Sequence, residues 1–304
     1  MTAHHPANTE QKPDLEQKRR ALYDRLCRLG RLTVAYSGGT DSAYLAWTAH
    51  QVLGSDMLAV IADSPSLARA DLKSAIDFAT THSIPLRIVQ TNELADPDYV
   101  RNSGDRCFHC KDELFEVMTN LCDSAAGGMH LAYGMNLDDI GDFRPGQKAA
   151  AQHNVLAPLA EAGLTKAEIR ELARQAGLSV WDRPAAACLS SRIAYGLPVT
   201  PETLDRIEQA EAFLASLGLR QFRVRHHGEI ARIEIGRSEL EQIFSLTIFD
   251  QISAAFKRLG YKFITLDLEG FRSGSMNTLL PASTIGWNNG RNNAEPSPTA
   301  PETT

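Results

Sequence analysis

The segment VAYSGGTDSAYLAWTAH, residues 34–50, constrains the fold more than any other part of the chain. An apolar strand-like run enters a Gly-Gly turn and leaves as a helix-like run, the arrangement of a phosphate-binding loop. Glycines let the backbone approach an anion, and a helix start offers unpaired N–H groups at the positive end of its dipole. The G-x-x-x-x-G-K-[ST] pattern is absent and no lysine follows the glycines, so a loop that grips a terminal phosphate through lysine is excluded. The hydroxyls of Ser37 and Ser42 can donate to phosphate oxygens. Asp41 would be repelled by bare phosphate, and it makes sense facing Mg²⁺ bound to that phosphate. The alternative is an ordinary strand–helix turn capped by Thr40 or Asp41. Serine, Gly38, Gly39, aspartate and serine in this order favour the phosphate reading.

Around this loop, strand-like and helix-like segments alternate. RLTVAY (31–36), MLAVIAD (57–63), PLRIVQ (85–90) and MHLAYG (129–134) read as strands. DSAYLAWTAHQVL and SLARADLKSAIDFATTH read as the helices between them. This βαβα rhythm predicts an α/β fold with a parallel sheet covered by helices on both faces. TKAEIRELARQAG (165–177) opens with a capping box of Thr165 and Glu168 and stops at Gly177. Asp63 and Ser64 fall at the end of the second strand, where open α/β sheets bind ligands, and are expected at an adenosine site.

After about residue 196 the rhythm changes. A Pro-initiated helix (201–217), the strands QFRVRHH and IARIEIG, a helix over 238–258 and the strand YKFITLDLE predict a smaller α+β domain. A length of 304 residues with 43% hydrophobic content supports two cores. The expected division is a disordered 1–14, an α/β domain at 15–196, an α+β domain at 197–285 and a disordered tail at 286–304. The net charge of −6 argues against an extended nucleic-acid surface. Without a run near ~20 apolar residues or an apolar leader core, a soluble cytoplasmic protein is expected, with no membrane partner.

Of five cysteines, Cys107 and Cys110 form a C-x-x-C within GDRCFHCKDELF. By itself this fits half a zinc site that recruits His109 or distant ligands, a redox pair, or part of an iron–sulfur site. Cys188 lies among small residues in RPAAACLSSRIAYGLP, with Arg192 near enough to lower a thiol pKa. Cys27 and Cys122 read as structural cysteines on helices. In the C-terminal part, Arg223 and Arg225 alternate with Phe222 and Val224, so their guanidiniums share a strand face roughly 6.6–6.8 Å apart. Arg232 and Glu234 share a face of the next strand, and the four together would suit a phosphate monoester. Glu211 falls inside the apolar stripe Leu204, Ile207, Leu214. A carboxylate there bridges an arginine or helps to hold a metal or substrate.

The SGGTDS segment resembles the PP-loop of ATP pyrophosphatases, which holds the β- and γ-phosphates as one leaving group. Together with DRCFHCK, ACLSSRIAYG, LTKAEIRELA and FRSGSMN, it is similar to the LarE family of sulfur transferases over roughly residues 15–280. The resemblance implies adenylylation of the carboxylates of a pyridinium-3,5-biscarboxylic acid mononucleotide and their conversion to thiocarboxylates for a nickel-pincer nucleotide. It assigns Ser37, Gly38, Gly39, Asp41 and Ser42 to Mg-ATP. Cys107, Cys110 and Cys188 would hold a 4Fe–4S cluster whose open iron carries sulfide, with Cys188 nearest the transferred sulfur. In cysteine-only members, the residue matching Cys188 gives up its own sulfur. Arg192 would position the acyl-adenylate, Arg223 and Arg225 would bind the substrate phosphate, and Glu211 would hold metal or substrate. The partners implied are a small nucleotide, a sulfide source and further copies of the chain in a hexamer. A tRNA-thiolating enzyme, an amide-forming synthetase and a non-catalytic ATP or cluster sensor are the alternatives.

Overall fold

A computed structural model describes residues 14–124, 128–140, 145–184, 187–272 and 274–279. The expectations for residues 1–13 and 286–304 lie outside these, while Asp14 is ordered as the N-cap of α1 (Leu15–Leu29). The chain continues through β1 (Leu32–Ala35), α2 (Thr40–Leu53), β2 (Met57–Asp63), α3 (Arg69–Thr81) and β3 (Leu86–Gln90). Next come α4 (Pro97–Val100), α5 (Arg106–Ser124), β4 (His130–Tyr133), α6 (Pro145–Gln152), α7 (Pro158–Glu161) and α8 (Lys166–Gln175).

The four strands form a parallel sheet in the order β3-β2-β1-β4. With a strand period of two and helices on both faces, apolar residues fall on both sides of these strands. Leu32 and Val34 of β1, with Met57, Ala59 and Ile61 of β2, pack against α1, α2, α3 and α8. Ala35 and Val60 face the other way, onto Leu114, Phe115 and Met118 of α5 and Ala149 and Ala150 of α6. Helices therefore cover both faces, and β1 sits in the middle with its C-terminal end pointing at the glycine loop.

A second sheet follows. α9 (Pro201–Ser216) leads to β5 (Phe222–His227) and β6 (Ile230–Ile235), an antiparallel pair, and α10 (Leu246–Arg258) leads to β7 (Phe263–Leu266), parallel to β6. Val224, Ala231, Ile233 and Ile235 face Ala210 and Leu214 of α9 and Ile252, Ala255 and Phe256 of α10. The opposite face carries the alternating charged residues. The N-terminal half of α9 packs elsewhere: Leu204 and Ile207 join Tyr99, Leu189, Ile193 and Val199 in a small core of their own. A parallel bridge between Ile193 and His226 ties the segment after Cys188 to the edge of β5.

The structure corrects three of the expected elements. The helix expected over 238–258 is a 3₁₀ turn, Leu240–Ile243, then an extended Ser245 that serves as N-cap of α10. The helix expected from Ser66 begins at Arg69, because Ser64 and Ser66 turn their hydroxyls onto the buried Glu93. Cys27 is exposed on α1 while Leu22 and Leu26 are buried, so it has no structural role of the kind expected; Cys122 is buried and its thiol donates to Thr33 Oγ1. Among the described residues, no helix is long and apolar enough to cross a membrane.

Candidate functional site

The glycine loop is held open by its own side chains. Ser42 Oγ accepts from Ser37 N at 3.1 Å, lies 3.0 Å from Ser37 Oγ and contacts Gly39 O at 3.1 Å. Gly38 has φ +73°, and a Cβ there would meet Ala75 Cβ at 2.7 Å. Gly134, just after β4, presses on the other side: its Cβ would lie 2.7 Å from Ser42 N. Only a backbone without side chains passes between these two walls. The alternative of a side-chain cap from Thr40 or Asp41 is not what the structure shows. Gly39 is the N-cap of α2 and no side chain caps it. Thr40 Oγ1 donates instead to Val180 O at 2.8 Å. The first N–H groups of α2 are thus left for an anion.

Asp41 points inward. Its Oδ2 accepts from Asn136 Nδ2 at 3.1 Å, and its Oδ1 is buried without a hydrogen-bond partner. Burial pushes this carboxyl above its ordinary value of 3.8, and the Asn136 hydrogen bond offsets only part of the shift. A divalent cation would satisfy the orphaned oxygen and reverse the shift, so the residue fits Mg²⁺. Because the folded-state pKa is raised, ionised Asp41 opposes folding. That penalty is absent below the unfolded value, grows between the unfolded and folded values, and is complete above the folded one. Asp41→Asn should therefore stabilise the metal-free protein at pH 7 and do so less at pH 4, while weakening Mg-ATP binding. Thermal melts at the two pH values, with and without Mg-ATP, test this; a variant less stable than wild type at pH 7 contradicts it.

The cysteines converge from two segments. Cys107 and Cys110 lie one turn apart at the start of α5, and Cys188 is the N-cap of a 3₁₀ turn, Leu189–Arg192. Burial pushes the Cys110 thiol up to about 12, against the attraction of Lys111, and the charges of Cys188, Glu93 and Cys107 add to the shift. Cys107 is also raised by desolvation, opposed by Arg106 and reinforced by Cys188. Cys107 is nonetheless solvent-accessible. Cys107 and Cys110 each lie near enough to Cys188 for its charge to act on them, which suits a group held by three cysteines. His109 does not join them: its Nδ1 lies 3.0 Å from Asp96 Oδ2. Asp96, Asp98 and His109 instead bring three ligand atoms within 4.8 Å of one another outside the triad.

Several residues that the sequence did not single out hold this arrangement. Arg106, buried, donates to Ser190 O at 2.8 Å and to Asn102 Oδ1, and sits against Cys107. Tyr99 OH lies 2.6 Å from Ser190 Oγ, and Leu189 N donates to Ser66 O at 2.7 Å. Beneath them Glu93 is 2% exposed; its Oε1 takes both serine hydroxyls and its Oε2 has no partner. Arg106 stands beside Cys107 in the sequence, which is the one signal that could have exposed it.

Arg192 and Glu211 resolve an ambiguity of the sequence. They form a two-armed ion pair, Nε to Oε1 and Nη2 to Oε2, both at 3.0 Å. Oε1 also accepts from Val224 N, and Arg192 Nη1 donates to Ala187 O and Cys188 O. Glu211 thus bridges an arginine, and that arginine fixes the backbone of Cys188 rather than its thiol. Arg225 is buried and donates to Glu234 at 3.0 and 2.8 Å and to Ser191 O at 3.2 Å. Arg232 pairs with Glu234 at 3.3 Å and with Asp267. Arg223 lies over the Phe271 ring at 5.1 Å, and burial together with Arg192 and Arg225 lowers its pKa to about 10. A guanidinium under that pressure favours an anion beside it.

The loop and the arginine face are joined. Arg183 Nη1 donates to Gly38 O at 3.1 Å and its Nη2 to Asp71 at 2.8 Å, and the Asp71 charge reaches Arg223. Asp63 is committed to Arg69 and to Gln90 Nε2 at 3.1 Å. Ser64, by contrast, is drawn under the cysteine loop through Glu93 and Ser66.

The chain is 33% identical over 267 residues to the pyridinium-3,5-bisthiocarboxylic acid mononucleotide synthase of Lactiplantibacillus plantarum, covering 88% of this chain and 96% of that protein. It is 40% identical over 266 residues to an uncharacterized protein of Synechocystis sp., covering 88% and 99%. It is 28% identical over 243 residues to an uncharacterized protein of Methanocaldococcus jannaschii, covering 80% and 91%. No protein-family profile matches it.

Proposed function

The chain belongs to the LarE family of pyridinium-3,5-bisthiocarboxylic acid mononucleotide synthases, and on that premise we propose that it is an ATP-dependent sulfur transferase for nickel-pincer nucleotide synthesis. The substrate is a pyridinium-3,5-biscarboxylic acid mononucleotide. A substrate carboxylate oxygen attacks the α-phosphorus of ATP, the bond to the β-phosphate breaks, and pyrophosphate leaves. Sulfur then attacks the acyl carbon, the bond to AMP breaks, and a thiocarboxylate remains.

The observation that supports this reading most is the docking of the Cys188 turn beside the start of α5, where Arg106, next to Cys107, donates to Ser190 O at 2.8 Å. The loop bearing Cys188 is tied to the face of Arg223 and Arg225. The glycine loop and the N-terminus of α2 bind the pyrophosphate part of ATP, and Asp41, with its buried unpartnered oxygen, holds Mg²⁺. Arg223 binds the substrate phosphate, assisted by Arg225, which Glu234 orients. Arg192, pinned by Glu211, holds the carbonyl of Cys188 and so aims its thiol. Bound to the three cysteines, a 4Fe–4S cluster would supply an iron with an open position able to carry sulfide.

The test uses anaerobically purified full-length protein with Mg-ATP, sulfide and the biscarboxylate mononucleotide, read by intact mass spectrometry. The expected result is thiocarboxylate with unchanged polypeptide mass. Loss of the mass of H₂S from the protein would mean that Cys188 gives up its own sulfur. Absence of sulfur in the small molecule would overturn the substrate assignment.

A further inference from the structure

Arg106 is 4% exposed at the start of α5, and among the described residues no carboxylate forms an ion pair with it. Two other buried arginines, Arg192 and Arg225, are each tied to an acid, Glu211 and Glu234. The partners of Arg106 are neutral. Its Nη1 donates to Ser190 O at 2.8 Å and to Asn102 Oδ1, and its guanidinium carbon lies 6.0 Å from the centre of the Tyr195 ring. Nε and Nη2 take no part in these hydrogen bonds and keep their N–H donors. The groups whose negative charge reaches the guanidinium are Cys188, Cys107, Tyr99 and Tyr195. Burial keeps both phenols neutral, so two sulfur atoms are left. Around them Lys111 adds a second cation beside Cys107 and Cys110, while Glu93 sets a negative charge beside Cys110. A buried guanidinium without an acid is costly, and it fits a place where a ligand brings the opposite charge.

We propose that Arg106 is the counter-charge of the sulfur site, facing the anionic sulfur that Cys107 and Cys188 present when they hold a ligand group, and the sulfide brought to that group. Cysteine binds a metal as thiolate, so loading the site carries negative charge to a buried cation that is already in place. The delocalised charge and planar donors of a guanidinium suit a large, diffuse anion such as sulfur. Its bond to Ser190 O also ties the turn bearing Cys188 to the helix start bearing Cys107. Arg106 makes and breaks no bond in the reaction. It is a positioning residue that biases the charge state of what the cysteines hold, since net charge and hydrogen bonds to sulfur set the potential of an iron–sulfur group. The inference rests on reading Cys107, Cys110 and Cys188 as ligands of one such group.

The experiment reconstitutes full-length wild type, Arg106→Gln, Arg106→Lys and Arg101→Met anaerobically with iron and sulfide. Iron content and the midpoint potential, followed by EPR at set potentials, are then measured. Glutamine can still donate to Ser190 O but carries no charge. It should make reduction harder by roughly tenfold in the equilibrium, about 59 mV downward for one electron, and lysine should restore most of that. Arg101→Met removes an exposed charge paired with Asp98 and should leave the potential in place. Loading of Arg106→Lys but not of Arg106→Gln would also support the charge role. An unchanged potential in Arg106→Gln overturns the inference and leaves the three-cysteine reading standing. So does an equal shift in Arg106→Lys or in Arg101→Met, which would report lost fork geometry or a diffuse field, and so does failure of both Arg106 variants to load. If wild type takes up no iron, the three-cysteine reading fails first and takes the inference with it.

Discussion

Cys188→Ala should abolish thiocarboxylate formation, by at least about a thousandfold, while pyrophosphate release in the presence of substrate continues. The structure makes this a clean chemical test. Among the described residues, the hydrogen bonds to Cys188 run through its carbonyl: Ser191 N at 3.0 Å, Ser191 Oγ at 2.7 Å and Arg192 Nη1 at 3.0 Å. Alanine keeps that carbonyl and loses only the sulfur, so the fold should change by less than about 1 kcal/mol. Pyrophosphate release and thiocarboxylate are assayed side by side with equilibrium unfolding of both proteins. Unchanged product formation by the alanine enzyme would favour an amide-forming or other chemistry that needs no thiol. Loss of pyrophosphate release together with product would show that Cys188 serves substrate activation instead.

The second large effect is on stability. Glu234 is fully buried, and its carboxylate gathers Arg225 Nε at 3.0 Å, Arg225 Nη2 at 2.8 Å, Ser275 Oγ at 2.7 Å and Arg232 at 3.3 Å. Glu234→Ala leaves the Arg225 guanidinium, itself 7% exposed, without its counter-charge. The expected cost is about 3–5 kcal/mol, because a buried charge is stranded and not merely unpaired. Urea denaturation measures it, and a loss under about 1 kcal/mol would show that water reaches Arg225. The double variant Glu234→Leu, Arg225→Met should recover much of the stability, since it removes both buried charges together and leaves only the Ser275 hydroxyl and one arm of Arg232 to find new partners. It should also lose the phosphate-binding contribution of Arg225, separating stability from function.

Much of this was legible in the residues, for identifiable reasons. The four strands of the parallel sheet are apolar on both faces, so each declares itself as a short apolar run bounded by turns. The capping box of Thr165 and Glu168 needs only three residues of local sequence, and it is present at the start of α8. The face shared by Arg223, Arg225, Arg232 and Glu234 follows from alternation, and the register pairs Arg223 with Glu234 and Arg225 with Arg232. What was not legible depends on distant partners. Glu211 was visible as a carboxylate in an apolar stripe, but its choice of Arg192 depends on how the Cys188 turn docks on α9. The break at Ser245 was hidden because apolar residues continue at helical spacing on both sides of it. Arg106 and Arg183 carry no periodic signal. Asn102, at φ +56°, is locked by three carbonyls of the segment after Cys188 and in turn receives Arg106.

The surroundings of Cys107 and Cys110 have a consequence for how the protein survives air. Oxidation by dioxygen products and exchange with other disulfides both require the thiolate. Cys110, pushed up to about 12, and Cys107, also raised, remain S–H at neutral pH even though water reaches Cys107. Desolvation therefore keeps the C-x-x-C pair from closing on itself. A neutral pair beside a solvent opening is a reserve of reduced sulfur, protected by withholding ionisation and not by exclusion of solvent.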